Sequence, residues 1–192
     1  KRSFLAASKE EPRQVPPNIR FLAFDTDDAE DLDDPNTGET VGFENNEFMR
    51  FVPGGSVRVA QRAAPNERNP DGWWPEGCKD WPNTGSGAAA KRLHGRAKLA
   101  NQINTVKGMI DKEIQRCRAA GGMGMGGQID SVRVTIVGSL AGGTGAGCWL
   151  DIANLVHRRI RCDLRNDRLY GVFLTGDAFD SMPGVEGRNA NT

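Results

Sequence analysis

The chain of 192 residues carries 25 acidic and 25 basic side chains, and 38% of its residues are hydrophobic. This length suffices for one substantial hydrophobic core and is short for two full domains, so we expect a single domain over residues 1–192. Without net charge, no overall field attracts nucleic acid or an anionic membrane. The cysteines have neither CxxC nor Cys/His spacing, which argues against zinc and favours a reducing compartment. Since no apolar run approaches the roughly 18–20 residues of a membrane span, we expect a cytoplasmic protein.

Two acidic residues follow the first predicted strand. Residues 1–11 resemble the end of a helix, which the prolines that follow would terminate, and residues 19–24 form a short apolar run of strand length. Asp25 and Asp27 come directly after this run, where open α/β sheets bind ligands. They are candidate ligands, directly or through water, for a magnesium ion that bridges phosphates. The alternative is that they begin an acidic segment on the solvated surface or cap a helix.

Residues 35–84 are the least regular part of the chain. Proline, asparagine and glycine mark turns, and residues 47–52 and 56–60 are predicted to be short strands. Trp73, Trp74 and Trp81 concentrate large aromatic surface in this insertion, and aromatic clusters on loops often bind protein partners. We favour the alternative that the tryptophans pack over the edge of the sheet.

A glycine-rich loop, Gly-Ser-Gly-Ala-Ala-Ala, occupies residues 85–90. It precedes a predicted helix whose apolar residues recur every three or four positions, from Leu99 to Cys117. Because backbone N–H groups at a helix N-terminus lack intrahelical partners, such a loop is a candidate anion site. Its candidate phosphate-binding residues are Gly87, Ala88 and Ala89.

The central motif of the chain lies within residues 131–160. Val132, Val134, Ile136 and Val137 predict a strand, which we expect to be buried on both faces of a parallel sheet. An apolar stripe from Trp149 to Ile160 predicts the helix that follows. The turn between them reads Ala-Gly-Gly-Thr-Gly-Ala-Gly.

This turn is predicted to bind phosphate through backbone N–H groups at a helix N-terminus. It is not a P-loop, because no lysine follows its glycines, and no register supplies GxGxxG. The candidate residues are Ala141, Gly142, Gly143, Thr144, Gly145, Ala146 and Gly147. The alternative is a glycine-rich turn without a ligand.

The central turn resembles the Gly-Gly-Gly-Thr-Gly-Ser/Thr-Gly phosphate loop of the tubulin/FtsZ superfamily. Ala141 replaces the first glycine and Ala146 replaces the Ser/Thr. Other motifs resemble the family in the same order: the acids after the first strand, the Gly-Ser-Gly loop that would sense the terminal phosphate, and the Gly95-Arg96 pair of bacterial tubulin-like proteins. The resemblance implies that Arg92 or Arg96 pairs with the negative charge of a phosphate. Either arginine could equally be a helix residue that faces solvent.

A last predicted strand at residues 169–174 is followed by a segment that resembles the sugar-binding loop of the same family. Val-Glu-Gly-Arg-Asn-Ala at residues 185–190 is similar to the Val-Glu-Pro-Tyr-Asn-Ala of tubulin. The resemblance implies that Glu186 accepts hydrogen bonds from ribose hydroxyls and that Arg188 lies nearby.

The resemblance implies a three-layer, Rossmann-like α/β fold, with a mainly parallel sheet, helices on both faces and both ends incomplete. A first glycine-rich loop would precede Lys1, and the base-reading asparagines, the long central helix and the activation domain would follow Thr192. It implies GTP or GDP with Mg²⁺, and a GTPase that assembles into homo-oligomers or filaments, where a neighbouring subunit completes hydrolysis. No catalytic residue is identified. The alternatives are an inactive nucleotide-binding scaffold or regulator, and an unrelated α/β enzyme acting on a phosphate-bearing substrate.

Overall fold

The computed structural model describes residues 16, 18–27, 32–33, 40–43, 46–52, 54–76, 81–82, 85, 87–88, 91–122, 131–161 and 166–179. In chain order the elements are β1 (Ala23–Asp25), β2 (Leu32–Asp33), β3 (Thr40–Val41), β4 (Phe48–Arg50), α1 (Ser56–Ala63), α2 (Arg92–Asn101), α3 (Ile103–Gly122), β5 (Arg133–Ser139), α4 (Gly143–Arg161) and β6 (Arg168–Leu174). A short 3₁₀ helix, Gly176–Phe179, follows β6.

The strands pair in three two-stranded sheets within the described ranges: β1 with β4, β2 with β3, and β5 with β6. The β1–β4 and β5–β6 pairs are parallel, and the β2–β3 pair is antiparallel. Strands β5 and β6 are joined through α4, as expected because parallel neighbours need a crossover connection. The predicted α/β class, with parallel strands and helices, is confirmed.

One face of the β5–β6 sheet is covered by α4, where Trp149 packs against Phe173 with their ring centroids 5.0 Å apart. The opposite face is exposed in the described structure. Its large exposed apolar side chains are Val137, Tyr170, Val172 and Leu174. The expectation that β5 is buried on both faces is therefore wrong for these residues. β-branched composition indicates a strand, but the number of covered faces depends on which elements pack against it.

Several predicted elements keep their type with shifted ends, and one changes type. The strand predicted at 19–24 is β1, which ends at Asp25, and those predicted at 47–52 and 169–174 are β4 and β6. The strand predicted at 56–60 is wrong, because this segment begins helix α1. Apolar Val57 and Val59 flank Arg58, a pattern that a strand could share, but Ser56, Ala60 and Ala63 are buried at helical spacing. Residues 1–11 lie outside the described part.

The main core forms where α2, α3 and α4 meet the strands. Its buried members are Phe51, Leu99, Val106, Ile110, Ile114, Val132, Cys148, Val156 and Ile160. The helix predicted from the Leu99–Cys117 spacing is divided at Gln102, whose backbone leaves the helical region at φ −123°. Both parts still direct their apolar residues into one core.

Trp74 belongs to a second, smaller cluster and is only 1% exposed. It packs with Ala60 and Ala63 of α1 and Ala97 of α2. It also stacks on Trp81 with ring centroids 5.8 Å apart. The expectation that the tryptophans pack over the edge of the sheet is wrong for Trp74, because its contact surface is a pair of helices.

Candidate functional site

The end of β1 is hydrogen-bonded to the beginning of α4. Oδ1 of Asp25 accepts a hydrogen bond from the Thr26 amide at 2.6 Å and another from the Thr144 hydroxyl at 3.0 Å. The Thr26 and Thr144 hydroxyl oxygens are 2.7 Å apart. A consistent arrangement has Thr26 donating to Thr144 and Thr144 donating to Asp25. Two motifs that are far apart in the sequence thus meet through three side chains.

The N-terminus of α4 presents backbone donors that have no partner in the described part of the chain. Helix α4 begins at Gly143, and its first backbone hydrogen bond runs from the Ala146 amide to the Gly142 carbonyl at 3.2 Å. Among the described residues, no acceptor is found for the amides of Gly143, Thr144 and Gly145. These amides lie at the positive end of the helix dipole and can receive an anion.

The amides just before α4 are engaged by the protein itself. The Leu140 amide donates to the Leu174 carbonyl at 2.8 Å, and the Ala141 amide donates to Oγ of Ser139 at 3.2 Å. Ala141 therefore keeps the turn in shape, and its amide is less available to a ligand than those that follow.

The glycines of the central turn have two different environments. A Cβ atom on Gly143 would lie 2.6 Å from the Lys91 nitrogen and 2.7 Å from Cβ of Ala88. Cβ atoms on Gly145 and Gly147 would collide with the carbonyls of Ser139 and Arg92. By contrast, a Cβ on Gly142 meets nothing within 4 Å. Three glycines thus permit close packing of α4 against its neighbours, whereas Gly142 faces open space.

The second glycine-rich loop lies beside the central turn. The Gly87 amide donates to the Thr26 carbonyl at 2.8 Å. Gly87 has a φ of +72°, a left-handed conformation that favours glycine. The next residue, Ala88, is buried and faces Gly143. The structure thus brings Gly87 and Ala88 to the candidate site, while Ala89 lies outside the described residues.

Lys98 of α2 is a site residue that the sequence analysis missed. Its side chain is completely buried, and Nζ donates to the carbonyls of Gly85 at 2.8 Å and Gly87 at 2.5 Å. Burial lowers the pKa of the Lys98 ammonium, with a further lowering from the charge of Arg50 and an opposing effect of Asp27. Because lysine is rarely fully buried, its place in a predicted helix gave no reason to expect that Lys98 is buried and contacts the second loop.

A family model described as tubulin-like matches residues 2–192 of the chain. The chain belongs to the tubulin-like family. No curated protein and no solved structure matches it significantly. The resemblance inferred from the loops is thereby confirmed at the level of the superfamily. Within the described residues, no helix of this tubulin-like protein is both long and apolar enough to cross a membrane.

The arginines near the second loop of this tubulin-like protein have different environments. Nε of Arg96 lies 2.9 Å from Oδ2 of Asp151 on α4, and its guanidinium lies 4.6 Å above the ring of Trp73. Arg96 therefore links α2, α4 and the tryptophan segment. Arg92 is exposed at the start of α2.

The carboxylates offer an incomplete metal site by themselves. The described residues contain no cluster of three or more His, Cys, Asp or Glu side chains able to hold a metal ion. Mg²⁺ is commonly bound through one or two carboxylates together with phosphates and water. Asp25 at the end of β1 and Asp27 two residues later have side chains of the type this mode uses, in which the ligand supplies the remaining oxygens. The predicted ribose ligands, Glu186 and Arg188, lie outside the described residues.

Cys148 lies one turn into α4 and is buried against α2. Its Sγ donates to the Gly95 carbonyl at 3.3 Å. Burial, with smaller effects of Asp151 and Asp25, raises the pKa of the Cys148 thiol to about 12. The thiol therefore stays protonated at neutral pH and contributes to packing beside the candidate site.

Proposed function

We propose that this tubulin-like protein binds GTP and GDP in the cytoplasm. The observation that carries the proposal is the row of amides at Gly143, Thr144 and Gly145, which have no acceptor among the described residues and lie beside Asp25 and the Gly87–Ala88 loop. Oriented backbone donors at a helix N-terminus suit a phosphate chain. The full proposed phosphate-binding set is Ala141, Gly142, Gly143, Thr144, Gly145, Ala146, Gly147, Gly87, Ala88 and Ala89, with Glu186 and Arg188 for the ribose.

The proposed site would neutralise phosphate charge with backbone dipoles and a metal ion. Mg²⁺, held by Asp25 and Asp27 directly or through water, would withdraw charge from the phosphate oxygens when bound. The protein's own contribution is orientation. The Thr26–Thr144–Asp25 hydrogen bonds keep the end of β1 against the start of α4, so the Asp25 carboxylate lies beside the amides proposed to bind the phosphates.

We further propose that the protein is a GTPase whose hydrolysis is completed by a neighbouring subunit during self-assembly. Family membership supports assembly into homo-oligomers or filaments. The tryptophan insertion is proposed as a surface for a further protein partner, since Trp81 is 38% exposed. An inactive nucleotide-binding scaffold is the remaining alternative. Family membership argues against an unrelated α/β enzyme.

The binding proposal is tested by titrating the purified protein with GTP, GDP and ATP, using the variant Gly142→Val. Because a side chain at Gly142 meets open space, the fold should tolerate the valine. The same side chain should occupy the space through which phosphates would reach the backbone amides. We expect GTP affinity to fall at least about tenfold, corresponding to about 1.4 kcal/mol. Gly108→Val on α3 is the matched control, because a Cβ there also meets nothing within 4 Å.

Unchanged GTP affinity in Gly142→Val would contradict the proposed phosphate site. Gly143→Val is unsuitable for this purpose, because its side chain would push against Lys91 and Ala88 and change the fold itself. Light scattering of the parent protein with GTP separates assembly from passive binding. A flat trace at high protein concentration would favour the scaffold alternative.

A further inference from the structure

The buried Lys98 ammonium is joined to the second loop and not directed to solvent. Its Nζ donates to the carbonyls of Gly85 and Gly87, which lie thirteen and eleven positions before it in the chain. A buried charged amine is costly unless hydrogen bonds compensate it, and these carbonyls supply such bonds. Lys98 thus connects helix α2, which packs closely on α4, to the loop that precedes it.

Gly87 is held through both of its polar backbone atoms. Its carbonyl accepts from Lys98 at 2.5 Å, and its amide donates to the Thr26 carbonyl at 2.8 Å. The Thr26 hydroxyl in turn contacts that of Thr144 at 2.7 Å. A continuous series of hydrogen bonds therefore runs from Lys98 through the second loop and the end of β1 to the central turn.

We propose that Lys98 is a positioning residue that sets the distance between the second loop and the central turn, and so determines binding of the terminal phosphate of a nucleoside triphosphate. The inference rests on the proposed nucleotide binding, with the second loop beside the terminal phosphate, and assigns Lys98 no contact with the ligand. The ammonium directs two of its hydrogens to loop carbonyls, so its role is to hold the loop. Without the Lys98 ammonium, the Gly85 and Gly87 carbonyls lose their hydrogen-bond donor. The loop is then more stable if it moves so that these carbonyls accept hydrogen bonds from water.

The mutational test compares Lys98→Met, which keeps the length and apolar character of the stem but has no donor, with the parent protein. We expect GTP affinity to fall at least about tenfold and GDP affinity to change less than about threefold, because we expect the second loop to meet the terminal phosphate, which only the triphosphate carries. Lys98→Arg, which restores charge and donors, should recover part of the loss. Lys107→Met, at an exposed position of α3, is the matched control and should bind both nucleotides like the parent.

The results separate this inference from the function on which it rests. A parent protein that binds no GTP would refute the proposed function. If the parent binds GTP and Lys98→Met binds GTP and GDP like the parent, the positioning role is wrong. Equal losses for the two nucleotides would also overturn it, since Lys98 would then support the whole site and not the terminal phosphate.

A measurement on the unmodified protein keeps the inference testable if Lys98→Met fails to fold. Amine acylation followed by mass spectrometry compares Lys98 with the exposed Lys107 and Lys112. We expect Lys98 to react most slowly of the three, and to react more slowly still when GTP, but not GDP, is added. A Lys98 rate equal to that of Lys107, or an identical response to the two nucleotides, would overturn the inference.

Discussion

The hydroxyl pair of Thr26 and Thr144 allows a quantitative test of how the two motifs are joined. Valine at either position keeps the shape of threonine and removes the hydroxyl. Thr144→Val loses a bond to the Asp25 carboxylate and a bond to Thr26, and we expect it to lower the free energy of unfolding by about 2 kcal/mol. Thr26→Val loses mainly the neutral bond, worth about 1 kcal/mol.

The double variant decides whether the two hydroxyls interact. Since the 2.7 Å contact can be lost only once, the double variant should be destabilised by about 2 kcal/mol, leaving a coupling energy of about 1 kcal/mol. Urea unfolding followed by tryptophan fluorescence measures each free energy, provided the m-values agree. Thr135→Val, on an exposed position of β5, is the control and should change stability by less than about 0.5 kcal/mol. If the free-energy losses of the two single variants sum to that of the double variant within about 0.3 kcal/mol, the contact between the two hydroxyls would be refuted.

The other predictions concern stability. Gly143→Ala should destabilise the protein by at least about 2 kcal/mol in urea unfolding, because its Cβ is too close to Lys91. Gly142→Ala should be neutral or slightly stabilising, since its Cβ meets open space. Equal effects of the two variants would contradict the packing described. Trp74→Ala should cost about 3–5 kcal/mol and lower the unfolding temperature, and a loss below about 1 kcal/mol would show that the second cluster is not a core. For Cys148, the folded pKa of about 12 exceeds the unfolded value of 9.0, so the unfolded chain releases its proton first and stability should fall as pH rises between these values. Cys148→Ala should show a shallower fall over the same pH range, and parallel curves would argue against a buried thiol.

Local sequence patterns predicted much of the fold and part of the candidate site. The glycine-rich turn between β5 and α4, the acid at the end of β1 and the strand β6 all follow from periodicity and residue type over a few positions. Such features depend on backbone preferences that operate within one or two turns of chain. The same reasoning failed at α1, where the pattern of Val57, Arg58 and Val59 is compatible with a strand. Packing of Ala60 and Ala63 against Trp74 stabilises the helix instead.

The sequence by itself determined that this protein has a tubulin-like order of loops, and it predicted that the central turn presents amides to an anion. Only the tertiary structure decided which glycines serve packing, that Gly142 faces open space, and that Lys98 holds the second loop. The physical reason is distance along the chain. Thr26 and Thr144 are 118 positions apart, and a contact of this kind depends on how whole elements pack, which no local pattern encodes.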